Sequence, residues 1–366
     1  MSSIKKNSGF PLLMPLVILF TLILINLIAD PFVLAKNPEA MRFFDFELRV
    51  DNFGNTIVYG TIVNIINSAS EVVILAIGMA LVTAASGGQD ISVGAVAAIA
   101  GSVFIKIIRT SEDVTWSLVL IAFLASCVVS MLCGMFNGTL VAVFRIQPMI
   151  ATLVLFTSGR SIAYAVNGGA SPKLFDDITR QIGGYFSGSP IQTSVYIVLI
   201  YGLIFFLVFK FTNLRLYAES VGINEKAARL NGLNPVAIKI MVYAILGFCV
   251  AGAGVLNTCR MQRLDHLGIL GGVEMNTILA VAIGGNALGG GKFSIAGAVI
   301  GAYTLETLNT TLLRLGVEPE PIFVYKAAVI ILLMIVSSPV LKTSVNKALS
   351  RKKKINDRGA VQHAEN

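Results

Sequence analysis

Two polar stretches interrupt apolar sequence in this chain: SGGQDISVG at Ser86–Gly94 and IGGNALGGGKF at Ile283–Phe293. A carboxylate between flanks apolar enough for lipid is costly, so Asp90 needs donors or a helix end to justify it. The second stretch has the glycines of a phosphate-binding loop but not its chemistry. Asn286 stands where that loop needs its first glycine, and Phe293 where a Ser or Thr would hold magnesium. No nucleotide-hydrolysing site is expected. The four cysteines, Cys127, Cys133, Cys249 and Cys259, have no CxxC spacing, and His266 and His363 lie far apart. Neither a metal site, a disulfide framework nor a catalytic constellation follows from them. Charged and amide residues within apolar runs are few. Glu71, Asn137, Arg160, Asn276 and Glu306 are the candidates to face a partner or a polar translocation path.

The elements that must position these residues are membrane helices. Of 366 residues, 55% are hydrophobic and only 13% charged, against about a quarter charged in a soluble domain. The fold class is all-α and polytopic, with about ten transmembrane helices. Their approximate ranges are 11–29, 62–85, 91–109, 115–143, 148–166, 193–211, 236–257, 275–288, 293–313 and 321–341. The third and eighth are short and bordered by glycine, so they read as broken or re-entrant. The first apolar run is longer than a signal h-region of roughly 7–15 residues and reads as an uncleaved span. Lysines and arginines concentrate in alternate loops and in the tail LKTSVNKALSRKKKINDR, which places both termini in the cytoplasm. A basic tail after a span accounts for much of the net charge of +8 without nucleic acid.

Four regions result: an N-terminal transmembrane helix at 1–30, an extracytoplasmic segment at 31–61, a membrane-embedded core at 62–341 and a basic cytoplasmic tail at 342–366. MRFFDFELRV, within the second region, suggests an interfacial helix. In the longest inner loop, NEKAARL reads as a short cytoplasmic helix capped by Asn224 and stopped by Gly232 and Pro235. The two polar stretches also echo each other: Gly87, Gly88, Asp90 and Ser92 correspond to Gly289, Gly290, Lys292 and Ser294. Both are expected at a cytoplasmic mouth. Asp90 is expected to steady a broken helix by accepting from free N–H groups, rather than to bind substrate. Asp90 and Lys292 are expected to approach one another in at least one transport state.

Several stretches together resemble one known family. SGGQDISVGAV is similar to the GGIDLSVG signature of ABC importer permeases for ribose, xylose, galactose and related sugars. GMFNGTLVAVFRIQPMIATLVLF, ESVGINEKAARLNGLN and ILAVAIGGNALGGGKF resemble further segments of that family, in matching order. LAIGMALV and PEP…YKAAVIIL resemble its galactofuranose-importing members in particular. The resemblance implies an import permease in the bacterial inner membrane, without an ATPase site of its own. A separate ABC subunit would bind ATP and magnesium, an extracytoplasmic protein would deliver the sugar, and a second permease copy would complete the path. It also implies that Gly222, Asn224, Glu225, Ala227, Ala228 and Gly232 belong to the helix that contacts the ATPase. Ala228 is expected to accept a bulky side chain there without loss of the fold. Gln89 and Asn286 depart from the family pattern, which leaves the sugar open among galactofuranose, ribose, xylose and a signalling sugar. An ion-coupled transporter is the other class of reading, with only Glu71 and Glu306 available for a relay.

Overall fold

The computed structural model describes residues 10–36, 41–50, 54–318, 321–322, 324–328 and 331. The chain divides into two compact units, 1–311 and 312–366. In chain order the elements are α1 Phe10–Lys36, β1 Phe46–Val50, β2 Thr56–Gly60, α2 Thr61–Ser68, α3 Ser70–Ser86, α4 Val93–Ile108 and α5 Trp116–Ala142. There follow α6 Pro148–Val166, α7 Asp177–Gly183, α8 Thr193–Phe211, α9 Leu214–Ile223, α10 Glu225–Leu230, α11 Pro235–Met261, α12 Val273–Ile283 and α13 Ile295–Arg314. In the second unit the chain is helical at 322 and over 324–328. The expected span 321–341 and the tail 342–366 lie largely outside the described residues.

Among the described residues, five helices are long and apolar enough to cross a membrane: α1, α5, α6, α8 and α11. A sixth forms if α2 and α3, which meet at a bend of 43°, count as one span. The second span is therefore broken near its start, at Ala69, where continuity was expected. The helices α4 and α12 are short, with 16 and 11 residues, as the bordering glycines suggested.

α3 lies at the centre of the first unit, and every residue from Ser70 to Ala85 is buried. A helix apolar on all sides belongs inside a bundle, and α3 packs against α11, α12, α9 and α8. α11 in turn lies along α5, where a Cβ on Gly138 would come 2.8 Å from the Ile240 backbone. Small residues at such crossings bring the helix backbones together, which is how helices associate in lipid. The opposite face of α5 exposes Leu120, Ile121, Leu124, Val128 and Leu132, and α8 exposes Leu199, Leu203 and Phe206. Those are surfaces for hydrocarbon.

The expected interfacial helix in MRFFDFELRV is not present. β1 and β2 form an antiparallel hairpin in register Phe46↔Gly60 through Val50↔Thr56. FELRV alternates apolar and charged residues with period two, TIVYG is a β-branched and aromatic run, and Arg49 lies 4.1 Å over the ring of Tyr59 on the other strand. The hairpin region is tied to α1 by the Asp30 carboxylate, which accepts the Phe43 N–H at 3.1 Å.

Candidate functional site

α3 ends at Gly87 in the left-handed conformation, φ 66°. The chain then turns back along α3, so that the Asp90 N–H lies 3.5 Å from the sulfur of Met79. α4 starts only at Val93. Residues 88–92 thus replace the first part of a helix with non-helical backbone, and that backbone must be satisfied locally. Asp90 does this: its Oδ1 accepts from Ser92 N–H at 2.7 Å and Ser92 Oγ at 2.6 Å. Its Oδ2 accepts from Asn137 Nδ2 of α5 at 3.1 Å, and the same Nδ2 lies 2.9 Å from Ser92 Oγ. Asp90 is 3% exposed and Asn137 fully buried. Asn137, one of the candidates for a polar path, takes part in this lock.

The second polar stretch repeats the device. Asn286 Oδ1 accepts the Ser294 N–H at 2.5 Å, and Ser294 Oγ accepts the Gly297 N–H at 3.1 Å, which caps α13. The two echoing loops meet directly. Gly291 N–H donates to Ala84 O at 2.9 Å, and Gln89 Nε2 donates to Leu288 O at 2.9 Å. The Asp90–Lys292 ion pair is absent among the described residues. Asp90 is enclosed, whereas Lys292 is exposed on a cavity of about 680 Å³ that it shares with Arg215, Glu219 and Phe293. What joins the loops is an amide, a carbonyl and glycine backbone.

The remaining candidates each make their own polar contacts. Glu71, buried at the start of α3, pairs with Arg260 of α11 at 2.8 Å, and Asn257 also reaches it at 3.4 Å. Arg160 Nη1 donates to the carbonyls of His266, Leu267 and Ile269 at 3.1, 2.7 and 3.2 Å. Its Nη2 lies 3.9 Å from Glu274. Arg160 thereby anchors the 266–269 loop to α6. Asn276 is half-buried in the first turn of α12, and Glu306 is half-buried on α13, where Asn309 donates to it at 3.4 Å. Arg260, Asn257 and Glu274 escape a sequence reading because each takes its meaning from a partner on another helix. Arg260 lay just past the expected span end at 257.

The helix expected to meet the ATPase is α10, preceded by α9. Asn224 Oδ1 accepts the Ala227 N–H at 3.1 Å, as its N-cap position requires. Gly232 turns the chain out with φ 81°, and Pro235 opens α11. Glu225 is held by Lys239 at 2.7 Å and faces Arg229 at 3.7 Å. The hydrogen bond from Lys239 holds the Glu225 carboxyl below its ordinary range. Leu230 is 90% exposed, and a groove of about 440 Å³ runs beside it, lined by Leu216, Tyr217, Ile223, Ala227 and Leu233. Ala228, where room for a bulky side chain was expected, is buried with Val221 and Ile238 and also lines this groove.

Long apolar helices, a bend in one span and glycine loops that open α4 and α13 are consistent with a polytopic membrane protein. The family profile described as "Branched-chain amino acid transport system / permease component" matches residues 61–338, and the chain belongs to that family. Among curated proteins it is 35% identical to the galactofuranose transporter permease of Escherichia coli, over 81% of this chain and 85% of that one. It is 32% identical to the fructose import permease of Bifidobacterium longum, over 76% of this chain and 78% of that one. With the ribose import permease of Escherichia coli it shares 33% identity, over 78% of this chain and 87% of that one.

Proposed function

We propose that this chain is the membrane-spanning permease of an ABC importer in the bacterial inner membrane and that it carries a monosaccharide. The carrying observation is the family match over 61–338, with sugar import permeases among the similar proteins at 32–35% identity. Galactofuranose or a related sugar is the substrate this supports best. The chain has ten spans with both termini in the cytoplasm. A partner subunit binds ATP and magnesium and drives alternating access, and this chain performs no catalysis itself. An extracytoplasmic binding protein delivers the sugar, and a second permease copy completes the path. The exposed Leu230 and the groove between α9 and α10 are the docking surface for the ATPase.

Reconstitution with the ATPase and the binding protein in liposomes tests this. Uptake of radiolabelled galactofuranose is expected to require internal ATP and to persist when an uncoupler removes the proton gradient. Uptake that survives without ATP, or collapses with the uncoupler while ATP is present, overturns the reading.

A further inference from the structure

We propose that Gly222 is the positioning residue through which movement of α9 and α10 reaches both glycine loops, and that these loops travel as one joined body. This rests on α9–α10 being the ATPase-docking element. Only Asn224 separates the two helices, so α9 follows any displacement of α10. Gly222 lies in the last turn of α9. A Cβ on it would overlap Ala84 O and come 2.8 Å from Gly291 N. Those are the same two groups that hydrogen-bond each other at 2.9 Å. One contact therefore joins the docking helix, the end of α3 before the first loop, and the second loop.

Two further links hold the loops together. Gln89, 8% exposed, donates to Leu288 O at 2.9 Å, and a Cβ on Gly290 would lie 3.0 Å from the Gly87 Cα. Beyond the joint, each loop opens a helix. The first leads through Asp90 and Ser92 into α4 and holds Asn137 of α5. The second leads through Asn286 and Ser294 into α13. At Gly222 no side chain lies between the backbones to absorb a displacement by changing rotamer. Close-packed contacts of this kind transmit strain instead of dissipating it. A shift of α9 is thus delivered to α4 and α13 together.

The test is the number of sugars carried per ATP hydrolysed by the reconstituted complex of permease, ATPase and binding protein. Gly222→Ala is expected to lower that ratio about fivefold or more while binding-protein-stimulated hydrolysis continues. Gly289→Ala is the control within the same loop, because a Cβ there meets nothing within 4 Å, and its ratio should match the unmodified complex. Gln89→Ala removes the amide link without adding bulk and should also lower the ratio. An unchanged ratio in Gly222→Ala, or an equal loss in Gly289→Ala, overturns the proposal. Where Gly222→Ala fails to assemble, an unchanged ratio in Gln89→Ala overturns it. Absence of stimulated hydrolysis in the unmodified complex is a separate result, read before any substitution, and it overturns the functional reading.

Discussion

Arg260 and Glu71 stand 189 positions apart in sequence and meet at 2.8 Å between α11 and α3, with the Glu71 side chain 5% exposed. The same guanidinium donates to Asn67 O at 3.0 Å, beside the bend between α2 and α3. Removing one partner strands the other. Arg260→Leu is expected to destabilise the protein by about 2–4 kcal/mol, below the fully buried range because Arg260 is partly exposed. The double variant Glu71→Leu, Arg260→Leu should be more stable than either single one. Thermal unfolding in detergent of the four proteins measures this. A double variant less stable than both singles would contradict it.

Arg160 gives a second prediction. Its three carbonyl partners all lie in the 266–269 loop, so Arg160→Ala should free that loop while leaving α6 in place. A charge-assisted hydrogen bond contributes about 2 kcal/mol, which corresponds to roughly thirtyfold faster exchange of the Leu267–Gly271 amides. Arg160→Lys should not restore protection, because an ammonium cannot reproduce the fixed fork of donors. Full protection in the lysine variant would show that charge alone holds the loop. Uptake is expected to fall in both variants with assembly intact.

How far the sequence foretold these features depended on the range of the signal. The cap at Asn224, the stop at Gly232 and the start at Pro235 are local, and each stands where its chemistry put it. The long apolar helices are also local, since hydropathy over about 20 residues suffices. The echo between the glycine stretches was visible as pattern, but not that Gln89 bonds Leu288 across 199 positions. FELRV mixes aromatic, aliphatic and charged residues, as an interfacial helix does, and only its period of two marks the strand. At Ala228 the surrounding charges suggest a wholly solvated helix, whereas the side chain itself is buried with Val221 and Ile238. Arg260 could not be matched to Glu71 without the bundle.

Acid should loosen α10. The Glu225 carboxyl is held below its ordinary value of 4.5, first by the hydrogen bond from Lys239. A carboxylate with a depressed folded value adds stability above its unfolded value and loses it as pH falls through the folded one. Amide exchange of Ala227–Leu230 should therefore accelerate as pH drops from about 5 to about 3, relative to unfolded peptide at each pH. In Lys239→Gln exchange should already be faster near neutrality, with little further change in acid. An identical acid response in both proteins would assign the loosening to another group.

Asp90 supports a finer prediction, because its three bonds differ in what they require. Ser92 N–H and Ser92 Oγ both donate to Oδ1, which an asparagine at this position also offers. Only Oδ2, which accepts from Asn137 Nδ2, would become a donor. Asn137 can answer by turning its amide over, and its own Oδ1 makes no hydrogen bond to any described residue in the present arrangement. The turn exchanges one hydrogen bond for another, loses the contact with Ser92 Oγ and leaves the Asn137 NH2 where no acceptor meets it, so Asp90→Asn should cost about 1–2 kcal/mol. Asp90→Ala leaves the Ser92 N–H and the Ser92 hydroxyl buried without an acceptor and Asn137 Nδ2 with Ser92 Oγ alone, at roughly 3 kcal/mol or more. Uptake and thermal stability should thus be mildly reduced in Asp90→Asn and strongly reduced in Asp90→Ala. Adding Asn137→Ala to Asp90→Asn should then abolish the tolerance, since no amide remains to turn. If Asp90→Asn fails as badly as Asp90→Ala, the carboxylate acts through its charge and not as the acceptor that steadies the start of α4.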